Sequence, residues 1–158
     1  MVVNMIKGYV DKAKTSVMVI VALVIVSFVL GILSVFMGTA GIALVGLNVL
    51  LGFVELLVWV YLGFELAKAG LQLVECIKGS AILGFVIGIL SGVLGAVGIL
   101  IGATAGGAAS GESMGMAASA GIGILGAIFA LIISPIVGAI MAAVLGAIGG
   151  IVKIYVMK

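Results

Sequence analysis

Four long apolar runs, over 16–36, 42–63, 81–105 and 121–152, alternate with short segments that carry nearly all of the charge. About 20 apolar residues in a helix cross a hydrocarbon core of about 30 Å. The pattern therefore predicts an all-α polytopic membrane protein, a single integral membrane domain over 1–158 with four transmembrane helices in two antiparallel hairpins. Between the second and third runs lies FELAKAGLQLVECIKGS, residues Phe64 to Ser80. There Glu65, Lys68, Gln72 and Glu75 recur at helical spacing, and Leu66, Ala69, Leu73 and Ile77 take the opposite face. This predicts an amphipathic interfacial helix over 64–78 joining the two hairpins. The Glu65 to Lys68 and Glu75 to Lys78 pairs would each add about 0.2–0.5 kcal/mol, and Gly79 and Ser80 would end it.

The remaining segments fit the same plan. Met1 to Thr15, with Lys7, Asp11, Lys12 and Lys14, is a basic interfacial lead-in. The run after it is about twice the length of a signal peptide's apolar region and reads as an uncleaved first span. Gly38 to Gly41 predicts a tight turn, because glycine accepts backbone angles that other residues resist. Gly106 to Ala120 reads as a small-residue loop whose only charge is Glu112. The last run would extend roughly 48 Å as one helix, well beyond the hydrocarbon thickness. Pro135 near its middle predicts a kinked helix, with a re-entrant pair of half-helices as the alternative. Every Lys falls in the amino terminus, the central connector or the carboxyl terminus, so both termini are expected on the cytoplasmic side; the membrane expected is a cellular one or the envelope of a virion. Trp59, Tyr61 and Tyr155 lie near that inner boundary, where aromatic rings anchor at headgroup level.

Composition sharpens the picture mainly by exclusion. Hydrophobic residues make up 66% and charged residues 8%, against about 25% charged in soluble domains. With no His, no Arg and Cys76 alone, the inventory excludes a His/Cys metal cluster, an intramolecular disulfide and a Ser-His-Asp triad. No catalytic residue, metal or cofactor is expected, and the chain reads as non-enzymatic. A net charge of +2 does not argue for nucleic acid. The partners expected are the lipid bilayer and further copies of the chain.

Two features stand out inside the spans. Glycine recurs in the third at Gly84, Gly88, Gly92, Gly95, Gly98, Gly102 and Gly106, close to the helical period, and the fourth repeats the device with Gly138, Ala142, Gly146 and Gly150. In lipid, small residues let helix backbones approach closely. These faces either hold the third and fourth spans together within one subunit or serve self-association. The second feature is Glu55, a few residues from the middle of its span, where a charge costs at least about 2.5–3.5 kcal/mol. Asn48, Gly52 and Trp59 share its face, and Ser27, Gly31, Ser34 and Gly38 form a matching face on the first span. Ser27 is expected near the level of Glu55, and Ser34 near Asn48. Glu55 is then either a proton- or cation-binding carboxylate at a helix interface or a neutral acid bonded to Ser27 or a backbone carbonyl.

In composition, small apolar hairpins rich in Gly, Ala and Val resemble conjugative pilins and spindle-shaped-virus coat proteins, with no motif in common. That resemblance implies a self-associating structural subunit of a membrane or virion assembly, the first functional expectation. The alternative is a small ion or proton channel or transporter working through Glu55, with Asn48, Ser27 and Ser34 along its path.

Overall fold

The computed structural model describes the backbone of residues 2–37, 41–109 and 113–157, and the side chains of 3–37, 42–103 and 123–157. Among these residues the secondary structure is entirely helical: α1 (Val2–Lys12), α2 (Lys14–Phe36), α3 (Gly41–Lys68), α4 (Leu73–Ala109) and α5 (Ser113–Ile151), which passes into a π-helical turn, Val152–Val156. Four of them, α2 to α5, are long and apolar enough to cross a membrane. The chain is a helical membrane protein by that measure.

The charged connector differs from its sequence reading. No separate helix covers 64–78; α3 runs on to Lys68 and α4 starts at Leu73, leaving only 69–72 between them. Two capping devices make so short a turn possible. At the end of α3, Gly70 takes φ +85°, Leu71 N–H donates to Leu66 O at 3.3 Å and Gly70 N–H to Ala67 O at 3.0 Å. This is a Schellman closure, which satisfies the last carbonyls of the helix and needs a residue free to adopt the left-handed region. At the start of α4, the Glu75 carboxylate reaches back to the Gln72 N–H at 3.3 Å, the reciprocal half of a capping box. Periodicity alone could not separate these terminal turns from a helix of their own, because the polar face of one continues into that of the other. The amphipathic helix of the chain is α1 instead, with Ile6, Tyr9 and Val10 half-buried, Ala13 just past its end buried, and Lys7, Asp11 and Lys12 exposed.

The other connections shift as well. The loop expected over 106–120 is helix to Ala109 and again from Ser113; its alanines favour helix and offset the glycines and serines between them. Glu112 and the turn at 38–40 lie outside the described residues. α5 runs without a break through Pro135, so the last run is one long helix and not two half-helices.

Packing follows residue size. α4 and α5 run antiparallel with their backbones in direct approach. A Cβ added at Gly88 would lie 2.7 Å from Pro135 Cα, at Gly92 2.9 Å from Ala130 O, and at Gly138 2.7 Å from Gly84 O; at Gly84 it would collide with Ala142 Cβ. Nearer the chain's end, Gly150 sits against Leu73 and Cys76, and Gly146 against Ser80. α3 crosses the same helix, with Gly63 against Gly146 and Gly149 against Val60 and Phe64. Among the described residues the stripe is not packed evenly: a Cβ at Gly95 would reach only Ala130 Cβ, at 4.0 Å, and one at Gly102 would meet nothing within that distance. The buried apolar cluster gathers Ala13, Ile20 and Val24 with Trp59, Leu62, Leu66, Cys76, Leu83, Ile87 and Ala142. It therefore sits where the first half of α2, the last half of α3, the first half of α4 and the last half of α5 meet, the end of the bundle that bears the lysines.

Candidate functional site

Glu55 lies on α3 one turn before Trp59, and the i to i+4 spacing brings the two side chains together. The indole Nε1–H donates to Glu55 Oε1 at 3.3 Å, long for an N–H···O bond. Trp59 itself is buried, 6% exposed, so it is a wall of the site and not the headgroup anchor expected of it. Tyr61 and Tyr155 do stand exposed, Tyr61 stacked on Phe64 with ring centroids 5.9 Å apart.

Two clefts meet at this carboxylate. One, of about 270 Å³, lies between α3, α4 and α5 and is lined by Glu55, Trp59, Ser91 and Ser134 among apolar and glycine neighbours. The other, of about 260 Å³, lies between α2, α3 and α4 and is lined by Ser27, Phe28, Glu55 and Ser91. Glu55 and Ser91 border both. Each of the four long helices thus contributes one polar side chain to the middle of the bundle: Ser27 from α2, Glu55 from α3, Ser91 from α4 and Ser134 from α5. Glycine makes the room, because Gly84, Gly88 and Gly138 line the first cleft and Gly95 the second.

Of the residues singled out in the sequence, Ser27 shares a cleft with Glu55, and Asn48 and Ser34 line neither. Ser34 turns its hydroxyl back on its own helix and donates to Gly31 O at 2.7 Å, a common resolution for serine in an apolar helix. Asn48 is half-exposed on α3, nearly two turns from Glu55. The packing glycines fall outside this polar centre except for those that shape its walls. Sequence reasoning passed over Ser91 and Ser134, although a signal was present: Ser134 is the sole hydroxyl in the run 121–152, and Ser91 is the sole serine in the run 81–105.

A second carboxylate on the same helix behaves differently. Glu65, placed by sequence on a polar face where it would pair with Lys68, instead crosses to the start of α2. Its Oε2 accepts the Ser16 backbone N–H at 3.2 Å and the Ser16 hydroxyl at 2.6 Å. Ala13 in the N-cap position offers no side-chain oxygen, so a residue 49 positions away supplies the cap that the local sequence lacks.

In chemical terms the centre pairs a carboxylate with hydroxyls in a setting without cations, as no lysine lines either cleft. Such a group can hold a proton or give oxygen ligands to a hard cation. Among the described residues no three His, Cys, Asp or Glu side chains stand close enough to hold a metal ion together. No family model, curated protein or solved structure matches the chain.

Proposed function

We propose that the chain is a four-span integral membrane protein that binds and passes a proton or small monovalent cation at Glu55. The observation that carries this reading is the convergence of Ser27, Glu55, Ser91 and Ser134, one from each long helix, on two clefts that meet at the carboxylate. An ionisable group inside a span is costly and is retained where it lines a pathway or has a partner. Glu55 has one donor and open volume on two sides. In this reading the spans form two antiparallel hairpins, both termini face the cytoplasm, and no covalent chemistry is performed. The test is flux into proteoliposomes under an imposed potential, followed with a trapped pH-sensitive dye and with a sodium indicator. The parent chain should pass one of the two ions and Glu55→Gln should not; a parent with no flux of either, or a Glu55→Gln variant with full flux, overturns the reading.

A second reading, a self-associating structural subunit of a membrane or virion assembly, draws support from the glycines that the bundle leaves unused. A Cβ added at Gly31, Gly46 or Gly102 would meet nothing within 4 Å among the described residues, and Gly46 lies near half-exposed Asn48 on the first half of α3. A second copy could approach these bare stretches as closely as α5 approaches α4. Sizing in mild detergent tests it: Gly46→Leu should reduce the assembly, and a parent chain that runs as a monomer excludes it.

A further inference from the structure

Outside the polar centre, an apolar groove lies on the outer face of the bundle, where α1 crosses the start of α4. Its volume is about 470 Å³ and its lining is Ile6, Ala81, Ile82, Phe85, Val86 and Ile89. Tyr9 fixes the crossing: a Cβ on Gly79 would lie 2.8 Å from the Tyr9 ring, so only glycine lets α1 settle against α4 at this level. The groove opens outward, with Phe85 46%, Val86 39% and Ile89 45% exposed.

We infer that this groove is a binding site for one anionic phospholipid of the lysine-side leaflet, its acyl chain along α4 and its phosphate at Lys78. Register is the first argument. Lys78, Ile82, Phe85 and Ile89 recur at helical spacing, so the ammonium caps the same stripe that lines the groove. Length is the second. From Lys78 to Ile89 the helix rises roughly 16 Å, close to half of a hydrocarbon core of about 30 Å, which is the depth of one leaflet. Charge is the third. Lys78 is exposed, and the acid expected to pair with it, Glu75, is turned toward Gln72 N–H. Lys7, next to Ile6 in the roof of the groove, is exposed as well. A lysine at headgroup level above an apolar channel complements an anionic headgroup carrying an acyl chain, and a neutral zwitterion gains less from it.

The test uses the full chain in detergent, given an equimolar mixture of dioleoyl phosphatidylglycerol and dioleoyl phosphatidylcholine, with retained lipid counted by native mass spectrometry. The parent should keep phosphatidylglycerol in preference. Lys78→Gln, at an exposed position with no partner to lose among the described residues, should weaken that retention about fivefold. Ala81→Phe, which fills the groove from α4, should remove it, with far-UV circular dichroism checking that the helices persist. Equal retention of the two lipids, or a Lys78→Gln variant that keeps the parent's preference, overturns the assignment. So does disulfide cross-linking of two chains through Ile82→Cys in a Cys76→Ser background, which would put a second copy of the chain in the groove.

Discussion

Glu65 and Glu55 stand on one helix, ten residues apart, and their surroundings assign them opposite tasks. The Glu65 carboxylate takes two hydrogen bonds from Ser16 at the end of the bundle where α1, the α3 to α4 turn and the close α3/α5 crossing are fastened together. Glu55 takes one long bond, from a tryptophan on its own helix, and borders two clefts. A carboxylate whose acceptor sites are filled by neighbouring helices fixes their positions. One with spare acceptor sites beside open volume remains able to take up something else. Stability should therefore depend on the region around Glu65, and ion handling on the region around Glu55.

The largest expected effect is at the crossing beneath Glu65. A Cβ on Gly63 would lie 2.6 Å from Gly146 Cα, backbone that no rotamer change can move aside. Overpacking costs about 1–3 kcal/mol where side chains can adjust, so Gly63→Leu should exceed about 3 kcal/mol in unfolding by sodium dodecyl sulfate titration. Gly102→Leu, on the same stripe as the packed α4 glycines but with no neighbour within 4 Å among the described residues, is the control and should leave the midpoint in place. A Gly63→Leu variant as stable as the parent would show that the lysine-bearing end is not the fastened one. Next in size is Glu65→Ala, which strands the Ser16 N–H and hydroxyl in a buried position. Leaving such groups unsatisfied costs about 1–3 kcal/mol, and the same titration should register it, together with faster amide exchange at the start of α2.

Much of this architecture is legible in the amino-acid sequence. The four spans follow from run length and hydropathy, because a helix is the only open segment that satisfies its own backbone in lipid. The small-residue faces of α4 and α5 could be read from spacing, and so could the shared level of Ser27 and Glu55. The connector could not. Glu65 and Glu75 have the helical spacing of a solvated face, yet one caps α2 from a distance and the other caps α4 locally. Periodicity reports which residues share a face and is silent about which helix end lies opposite. Ser91 and Ser134 escaped for a related reason: a lone serine in an apolar run has no partner in sequence, and only the tertiary arrangement brings these two beside the clefts that Glu55 borders.

A smaller effect is expected at the turn that holds the two regions of α3 and α4 in register. Gly70 occupies the left-handed region at φ +85° with nothing within 4 Å of an added Cβ, so Gly70→Ala introduces conformational strain without a clash. The cost should be about 1–2 kcal/mol, and Gly70→Asn, which tolerates this region better, should recover part of it. Equal stability of all three would remove the Schellman closure as a reason for the short connector.

The smallest expected change in stability is the one that separates the carboxylates most sharply. Glu55→Gln keeps an oxygen for the Trp59 N–H, keeps the side-chain volume between the clefts, and removes only the ability to carry charge. By the argument above no neighbouring helix depends on that charge, so the unfolding midpoint should move by no more than about 0.5 kcal/mol, the range of substitutions that disturb no packing or buried bond. Glu65→Gln differs in kind, since its amide keeps one acceptor but gives up a charge-assisted bond to Ser16, and bonds to charged groups contribute about 1.5–3 kcal/mol. Measured side by side under one titration, the pair should separate by at least about 1 kcal/mol, with Glu65→Gln the weaker. Equal losses would mean that Glu55 also holds helices together, and the open volume beside it would then be a packing defect and not a site. A stable Glu55→Gln that has lost flux places the function in the charge alone.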